Sequence, residues 1–214
     1  MGADLMLLNA GVILLAAYLI GSIPFGLLIG KLNGKDIRKE GSCNIGATNV
    51  TRVVGKWWGK LCFLCDFLKG FLPVFYVMRT CPDCGLTIAL TALAVVLGHV
   101  FPVYLGFKGG KGVSTAAGAA LALSPLAVVI AGAVWVLVFL TSRYVSLASL
   151  AAALALPLSA WLLHFFAGVA LPLPVGILLI LLAVLTFWRH RSNIGRLLNG
   201  TESRFERKKE NTPQ

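Results

Sequence analysis

The residues best suited to chemistry lie in a glycine-rich stretch, Gly106–Gly118, which reads GFKGGKGVSTAAG. Four of its glycines fall within Gly106–Gly112, too many for the interior of a helix or a packed strand. Because glycine has no Cβ, consecutive backbone amides can turn toward one small anion. Lys108 and Lys111 add positive charge, and Ser114 and Thr115 add hydroxyl groups. The stretch therefore favours a phosphate ligand, with a flexible connector between helices as the alternative.

This glycine-rich stretch is not the phosphate loop of P-loop nucleotidases. That loop places Ser or Thr directly after its lysine, whereas Lys111 is followed by Gly112. A nucleotide site of that class is therefore excluded here.

A second polar stretch, Gly41–Arg52, reads GSCNIGATNVTR. Small polar residues at this density cap helices and form turns, which is one interpretation. The other is that they bind a hydroxylated or phosphorylated ligand, with the Arg52 guanidinium as a bidentate phosphate partner. The residues that this second interpretation draws on are Ser42, Asn44, Thr48, Asn49, Thr51 and Arg52.

Two shorter segments carry further candidates. His190 and Asn193 are three residues apart near a helix end, so their side chains point the same way. His190 can orient a hydroxyl group or donate to a phosphate, unless it is simply solvated at the membrane surface. Ser146 and Ser149 lie close to a helix start, where serine commonly caps and where free amides can bind an anion.

Some ionisable residues fall inside apolar runs. Asp66 and Lys69 are three apart on one helix face, and we interpret them as a structural ion pair more readily than as a proton relay. His99 and His164 are interpreted as ordinary packed or interfacial residues.

The elements that must position these residues are membrane helices. Of the 214 residues, 58% are hydrophobic and only 13% are charged, against about 25% charged in soluble domains. Long apolar runs without period-two alternation predict an all-α, polytopic protein and not a β-barrel. The net charge of +11 indicates cytoplasmic loops and anionic lipids or substrates, and not nucleic acid.

The number of crossings depends on the segment Ala116–Leu140, which Ser124-Pro125 interrupts. One crossing there gives six spans and places the basic loop Lys31–Lys60 and the basic tail on opposite sides. Two crossings give seven spans and gather nearly all lysines and arginines on one side. The positive-inside rule favours seven transmembrane helices, with the N-terminus outside and the C-terminus cytoplasmic. We predict one transmembrane domain over residues 1–205 and a short polar tail over 206–214.

The five cysteines do not form a metal pattern with histidine, and no metal site is predicted. Cys81 and Cys84 form a CxxC in a short loop, and whether they make a disulfide stays open.

Taken in order, the motifs resemble a known family. They are GSIPFG, GSCNIGATNVTR, GHVFPVYLGFKGGKGVSTAAG, RYVSLAS and RHRSNIGRLLNGTE, running from about Gly21 to Phe205. Together they are similar to the bacterial acyl-phosphate-dependent glycerol-3-phosphate acyltransferases. Members of that family are seven-span enzymes of phospholipid synthesis in the bacterial inner membrane, with a site facing the cytoplasm.

The resemblance implies transfer of an acyl group from acyl phosphate to the 1-hydroxyl of glycerol 3-phosphate. The products are 1-acylglycerol 3-phosphate (lysophosphatidic acid) and phosphate, no cofactor is involved, and a functional link to an enzyme that makes acyl phosphate is implied. By resemblance, the acyl phosphate is held by Gly109 and Gly110 with neighbouring amides, helped by Thr48 and Ser149, near Ser114 and Thr115. Glycerol 3-phosphate is held by Ser42, Arg52, Lys111, His190 and Asn193, with Asn44 beside them, and the first five are also the expected catalytic residues.

One position departs from the family pattern, because Cys43 stands where a glycine is expected. Two functions of other classes stay open from the residues alone. A small exchanger of organic phosphates would use the same cationic site, although the chain has no evident inverted repeat. A membrane scaffold would leave the glycine-rich stretch without a role.

Overall fold

The structure, a computed structural model, describes residues 3–205, and the predicted tail over 206–214 lies outside them. Within the described part of the chain, all regular structure is helical, as the apolar runs predict. The helices are α1 Ala3–Ser22, α2 Phe25–Leu32, α3 Ala47–Val53, α4 Lys56–Thr80, α5 Gly85–Val100, α6 Val113–Leu123, α7 Pro125–Ser142, α8 Val145–Ala167, α9 Leu173–Arg189 and α10 Arg191–Leu198. A single 3-10 turn, Val103–Leu105, follows α5.

Five segments are long and apolar enough to cross a membrane, and α9 with α10 makes a sixth if this pair, bent by 57°, counts as one crossing. The lengths of the helices alone do not establish the predicted seventh crossing. Helix α6 has 11 residues and a length of about 16 Å, whereas the apolar core of a bilayer is about 30 Å thick. The five segments are Ala10–Leu32, Lys56–Thr80, Gly85–Leu105, Pro125–Ser142 and Val145–Ala167.

Helices α6 and α7 leave one side of the molecule and return to it. Gly112, just before α6, and Val145, at the start of α8, line the same cavity. The break between α6 and α7 lies at Ser124, because Pro125 at the first position of α7 cannot extend the preceding helix. The segment Ala116–Leu140 is therefore divided between two helices and is not one continuous helix.

Helix α6 can be short because it packs closely on α4. A Cβ on Gly70 of α4 would lie 2.1 Å from the carbonyl oxygen of Thr115, and a Cβ on Gly118 of α6 would lie 2.0 Å from that of Phe67. Such distances are possible only where both backbones lack side chains at the crossing. Helix–helix packing in a membrane relies on this kind of contact, since lipid is as apolar as a leucine side chain.

The first crossing is broken where the GSIPFG motif predicts a kink. Helix α1 ends at Ser22 and α2 begins at Phe25, with Pro24 between them. The carbonyl oxygen of Ile23 at the break accepts a hydrogen bond from Lys69 Nζ at 2.7 Å. A membrane helix tolerates proline when neighbouring groups bond its freed backbone, and Lys69 does so here.

The polar loop between α2 and α3 is folded around Asn49, which is only 1% exposed. Its Oδ1 accepts from the Ser42 amide at 2.8 Å. Its Nδ2 donates to the carbonyl oxygens of Ile37 (2.8 Å), Asn44 (2.9 Å) and Glu40 (3.1 Å). One buried amide thus satisfies the backbone of a loop that has no regular structure, as buried polar groups require.

Cys43 adopts a left-handed backbone conformation in this loop, with φ of 55°. A residue with a Cβ is strained there by roughly 1–2 kcal/mol, whereas glycine is not. The conformation explains why a glycine is expected at position 43.

We predict that Cys43→Gly stabilises the protein. Relief of the strain is partly offset by the larger entropy of an unfolded glycine, so the net gain is about 0.5–1 kcal/mol. Thermal unfolding of detergent-solubilised protein will show a midpoint higher by about 1–3 °C. Cys43→Ala, which removes the thiol and keeps the strained conformation, is the control and will show no such rise. Equal melting of the two variants would contradict this prediction.

Candidate active site

A polar cavity of about 440 Å³ opens at the end of the molecule where α3, α6, α8 and α10 begin. Most of the side chains that the sequence analysis selected converge on it, although they come from four separate segments. Gly109, Gly110 and Thr115 do not line it. Those that do are Ser42, Asn44, Thr48, Arg52, Lys111, Ser114, Ser149, His190 and Asn193.

Two helix N-termini face this cavity. Gly112, Val113 and Ser114 at the start of α6 line it, and so do Val145 and Ser146 at the start of α8. The first amides of a helix have no partner within the helix, and the helix dipole makes that end positive. Two such ends beside the same cavity favour an anionic ligand.

The family resemblance implies that the amides of Gly109 and Gly110 hold the acyl phosphate, but both amides are bonded within the protein. The Gly109 amide donates to the Val100 carbonyl at 3.2 Å, and the Gly110 amide donates to the His99 carbonyl at 3.1 Å. Both amides are therefore bonded to the end of α5 and do not point at a ligand. From the other side, Arg189 donates to the carbonyl oxygens of Gly109 (3.0 Å) and Gly110 (3.2 Å).

The glycines are required here because the loop lies directly against α5. A Cβ on Gly109 would be 2.2 Å from the His99 carbonyl oxygen, and a Cβ on Gly110 would be 2.2 Å from Nε2 of the His99 ring. No side chain fits at either distance. The free donors next to the cavity are instead those that follow in sequence, beginning at Lys111.

Thr115 is also placed away from the cavity. Its side chain is 0% exposed, its Oγ1 makes no hydrogen bond, and its carbonyl oxygen faces Gly70 across the α4–α6 contact. Ser114, one residue earlier, faces the cavity because the two residues lie about 100° apart around the helix.

Lys111 belongs to a chain of hydrogen bonds that ends on a carboxylate. Lys111 Nζ donates to Asn193 Oδ1, and Asn193 Nδ2 donates to Glu202 Oε1 at 2.7 Å. Glu202 also accepts from Ser146 Oγ at 2.6 Å and from Arg196 Nε at 2.7 Å. The carboxylate thus fixes residues from α8, α10 and, through Asn193, the glycine-rich loop.

Sequence reasoning missed Glu202, although a signal was present. It is the one acid within the quoted RHRSNIGRLLNGTE motif. Burial opposes its ionisation, but the bonds from Ser146, Asn193 and Arg196 win, so the pKa of Glu202 is lowered. An ionised carboxylate at this position allows the cationic groups to lie close together, since without it their charges would repel each other.

The electrostatic environment of Lys111 is unusual for a lysine. Burial lowers the pKa of Lys111 to about 8, and although Glu202 opposes this effect, Arg196, Arg52 and Arg189 add to it. Lys111 therefore carries its charge near neutral pH but loses it at mildly alkaline pH. A phosphate bound in the cavity would place negative charge next to Lys111 and so favour the charged form of its amine.

His190 lies in the bend between α9 and α10 and is 2% exposed. Its Nδ1 is 2.8 Å from the Thr186 carbonyl oxygen, which can only accept, so Nδ1 carries the ring proton. Burial, with help from the charge of Lys111, lowers the pKa of His190 to about 4. The ring is therefore neutral at pH 7, and its Nε2 is free to accept a proton or a hydroxyl hydrogen bond.

Two residues that the sequence analysis interpreted as packed or structural also line the cavity. Asp66 of α4 and His99 of α5 form part of its wall, although each is at most 4% exposed. Apolar surroundings in the sequence gave no sign that either residue reaches the cavity, since the partner helix of each is distant along the chain.

An apolar groove of about 740 Å³ joins the polar cavity. Small side chains of α6, α7 and α8 leave its space open, among them Ala116, Ala131 and Ala153. The groove and the cavity share wall residues, so a single molecule can occupy both. The shared residues are Ala47, Thr48, Phe63, Val113, Trp135, Val145 and Ser149.

Residues 201–205 fold back over this junction. The Phe205 amide donates to the Arg143 carbonyl at 3.0 Å, and Arg52 Nη2 donates to the Ser203 carbonyl at 3.3 Å. Glu202 lines the polar cavity while Phe205 lines the apolar groove. Within residues 3–205, no three His, Cys, Asp or Glu side chains cluster closely enough to hold a metal ion. The arrangement can thus bind an amphiphile with a phosphate at one end and an apolar tail at the other.

Comparisons with known proteins agree with the motifs. The family model described as glycerol-3-phosphate acyltransferase matches residues 11–200. A glycerol-3-phosphate acyltransferase of Aquifex aeolicus is 49% identical over 189 residues, covering 88% of this chain and 95% of the relative. One from Geobacter sulfurreducens is 47% identical over 201 residues, covering 94% of this chain and 100% of the relative.

Solved structures give the same result. The chain is similar to the crystal structure of PlsY (YgiH), an integral membrane glycerol 3-phosphate acyltransferase, in its glycerol 3-phosphate form. That comparison has a TM-score of 0.86 at 46% identity and covers 92% of this chain and 96% of the other. The lysophosphatidic acid form of the same enzyme matches with a TM-score of 0.83 at 47% identity, with the same coverage. The chain therefore belongs to the glycerol-3-phosphate acyltransferase family of integral membrane enzymes.

Proposed function

We propose that the acyl donor is acyl phosphate and that the products are 1-acylglycerol 3-phosphate (lysophosphatidic acid) and phosphate. The observation that carries this proposal is the junction of the cationic cavity with the apolar groove. An acyl phosphate has its phosphate directly beside the carbonyl carbon, so it fits a site in which a polar and an apolar cavity share a wall. A large soluble carrier is not needed to bring the acyl group.

The proposed seat of the acyl phosphate is the start of α6. Val113, which lines both cavities, and Ser114 offer helix N-terminal amides, and Thr48 and Ser149 lie on the same shared wall. This proposal differs from the expected seat on Gly109 and Gly110, because the amides of those residues are bonded to α5. The two glycines would contribute indirectly, because their close packing on α5 brings the next residue, Lys111, to the cavity.

Glycerol 3-phosphate is proposed to occupy the more polar end. Arg52 and Lys111 supply positive charge for its phosphate, with Ser42 beside them. Arg52 binds phosphate well because its planar guanidinium matches two oxygens at once. His190 and Asn193 line the same end, where the 1-hydroxyl of the substrate would lie.

The reaction needs alignment more than activation, because a mixed anhydride has a good leaving group. The 1-hydroxyl oxygen attacks the acyl carbon, the new ester C–O bond forms, and the bond from the acyl carbon to the phosphate oxygen breaks. The hydroxyl proton ends on the departing phosphate, either directly or by way of His190 Nε2. Holding two substrates in register can supply about 7–11 kcal/mol of the barrier.

The site is proposed to face the cytoplasm of a bacterial inner membrane. The cavity end carries nearly all basic residues of the loops, while Arg79 stands alone among the loops at the opposite end. Under the positive-inside rule, this asymmetry supports a cytoplasmic location for the cavity end. Cys81 and Cys84, beside Arg79, are joined in a disulfide, and disulfides persist on the oxidising side of a membrane. Acyl phosphate would come from an enzyme that makes it in or near the cytoplasm.

A direct assay tests the donor. We expect purified protein to release phosphate and form 1-acylglycerol 3-phosphate from palmitoyl phosphate and glycerol 3-phosphate. Palmitoyl-CoA at the same concentration serves as the comparison donor. Absence of phosphate release from folded protein, or equal rates with the thioester, would overturn the proposal.

The charge of Lys111 predicts a pH dependence. With a pKa of about 8, Lys111 is cationic at pH 7 and about nine-tenths neutral at pH 9, so the KM for glycerol 3-phosphate should rise about tenfold between them. In Lys111→Arg the guanidinium stays charged, and KM should be flat over this range whatever its starting value. A flat profile in the wild type, or the same rise in Lys111→Arg, would show that Lys111 does not bind this phosphate.

The groove predicts a preference for long acyl chains. It is lined from Val145 to Leu156 on α8, from Lys56 to Phe67 on α4, and from Val128 to Phe139 on α7. Each stretch corresponds to a depth of about 16 Å, which is about half of a ~30 Å bilayer core and so the length of one leaflet's chains.

Ala153→Phe should therefore shorten the accepted chain. The phenyl ring excludes at least two methylene groups, each worth about 0.8 kcal/mol, so kcat/KM for palmitoyl phosphate should fall about tenfold relative to that for decanoyl phosphate. Leu154→Phe is the control, since Leu154 is 58% exposed and lies outside the groove. An unchanged ratio in Ala153→Phe would mean that the chain does not lie along α8.

A further inference from the structure

Three ionisable side chains are buried together in the crossing helices beside the site. Asp66, Lys69 and His99 are 1%, 4% and 4% exposed. Lys69 Nζ lies 2.8 Å from Asp66 Oδ1, and His99 Nδ1 lies 3.6 Å from the same oxygen. Burying charges costs several kcal/mol each even when they are paired, so such a group inside a membrane protein calls for a functional explanation.

The cluster reaches the break in the first crossing through Lys69. Its Nζ donates to the Ile23 carbonyl at 2.7 Å and lies 5.5 Å from the centre of the Phe25 ring. Asp66 is held in turn by Cys62 Sγ, 3.6 Å from Oδ2. The Asp66 carboxylate, which projects from α4, thus lies between the α1–α2 break and α5.

The cluster reaches the glycine-rich loop through His99. Its backbone carbonyl accepts the Gly110 amide, and its ring occupies the space where a Cβ of Gly110 would be. One residue therefore contacts Gly110 from both its backbone and its side chain. Lys111 follows Gly110 directly in the chain, so a change in the position of the His99 ring would displace Gly110 and Lys111 together.

We propose that Asp66, Lys69 and His99 are positioning residues that fix the glycine-rich loop and thereby hold Lys111 half-buried at the polar cavity. The loop needs such a constraint because glycine loses more conformational freedom on ordering than any other residue. His99 Nδ1 is 3.6 Å from Asp66 Oδ1, too far for a hydrogen bond, so Asp66 orients the His99 ring through its charge, and Lys69 fixes Asp66. Without the cluster, Lys111 turns toward water.

The test measures the environment of Lys111 directly. Acetic anhydride reacts only with the neutral amine, so the labelling of Lys111 at different pH values, followed by mass spectrometry of its peptide, reports the pKa of Lys111. The wild type should give a midpoint near 8. The charged groups that face Lys111, namely Glu202, Arg196, Arg52 and Arg189, are left unchanged in every variant.

Asp66→Asn with Lys69→Met removes both charges together and leaves no unpaired buried ion. We expect the Lys111 midpoint to rise by at least about one pH unit, toward the value of about 10.4 for a solvated lysine. His99→Gln keeps the ion pair and removes the ring, and it should give the same shift. This second variant keeps the inference testable if the double variant does not fold.

Thr91→Val is the matched control. Thr91 is 0% exposed in α5 and its hydroxyl bonds only the Thr87 carbonyl, so Thr91→Val changes a buried polar residue of the same helix away from the cluster. The Lys111 midpoint of this variant should stay at the wild-type value. If folded His99→Gln or the double variant also keeps that value, the cluster is merely structural and the inference is overturned.

Kinetics give a second readout, which rests on the proposed function. The KM for glycerol 3-phosphate should rise at least about tenfold in both cluster variants, while that for palmitoyl phosphate stays unchanged. A shifted Lys111 midpoint with an unchanged KM would support the positioning role and refute the phosphate-binding role of Lys111. The two proposals therefore fail separately.

Discussion

The architecture of the site depends on one close contact, in which the glycine-rich loop lies flat on the end of α5. The amides of Gly109 and Gly110 are bonded to α5 carbonyl groups, and their own carbonyl groups are bonded to Arg189 of α9. Backbone groups at this depth must be satisfied within the protein, since lipid offers no hydrogen bonds. The loop is therefore held from two sides, and the start of α6 is placed at the cavity with its amides free.

The features that could be predicted are those that leave a mark along the chain. Apolar runs locate the crossings. The distribution of lysine and arginine predicts that the start of α6 and the end of α7 lie on the same side. Ser42, Arg52, Lys111, His190 and Asn193 belong to polar segments that were expected to meet at one membrane surface, and the family resemblance grouped them around one substrate. The structure brings all five to one cavity.

What could not be predicted depends on contacts between distant residues. Glycine at 109 and 110 is compatible both with an amide that binds an anion and with a backbone that lies against a helix, and only the position of His99 decides. The pair of Asp66 with Lys69 could be predicted from their spacing, but the approach of His99 to Asp66 appears only when α4 and α5 are placed side by side. Helix α6 can stop after 11 residues because its contact with α4 is unusually close, which composition does not reveal.

The fold-back of residues 201–205 also determines when the site is complete during biosynthesis. The contact between Arg52 and Ser203 joins residues that are 151 positions apart, and Glu202 and Phe205 complete walls of the cavity and of the groove. Ribosomes add about 5–20 residues per second, so roughly 8–30 seconds separate the synthesis of the first wall from that of the last. During this interval the nascent chain presents an open basic surface. The enclosed cavity forms only when every crossing has already entered the membrane.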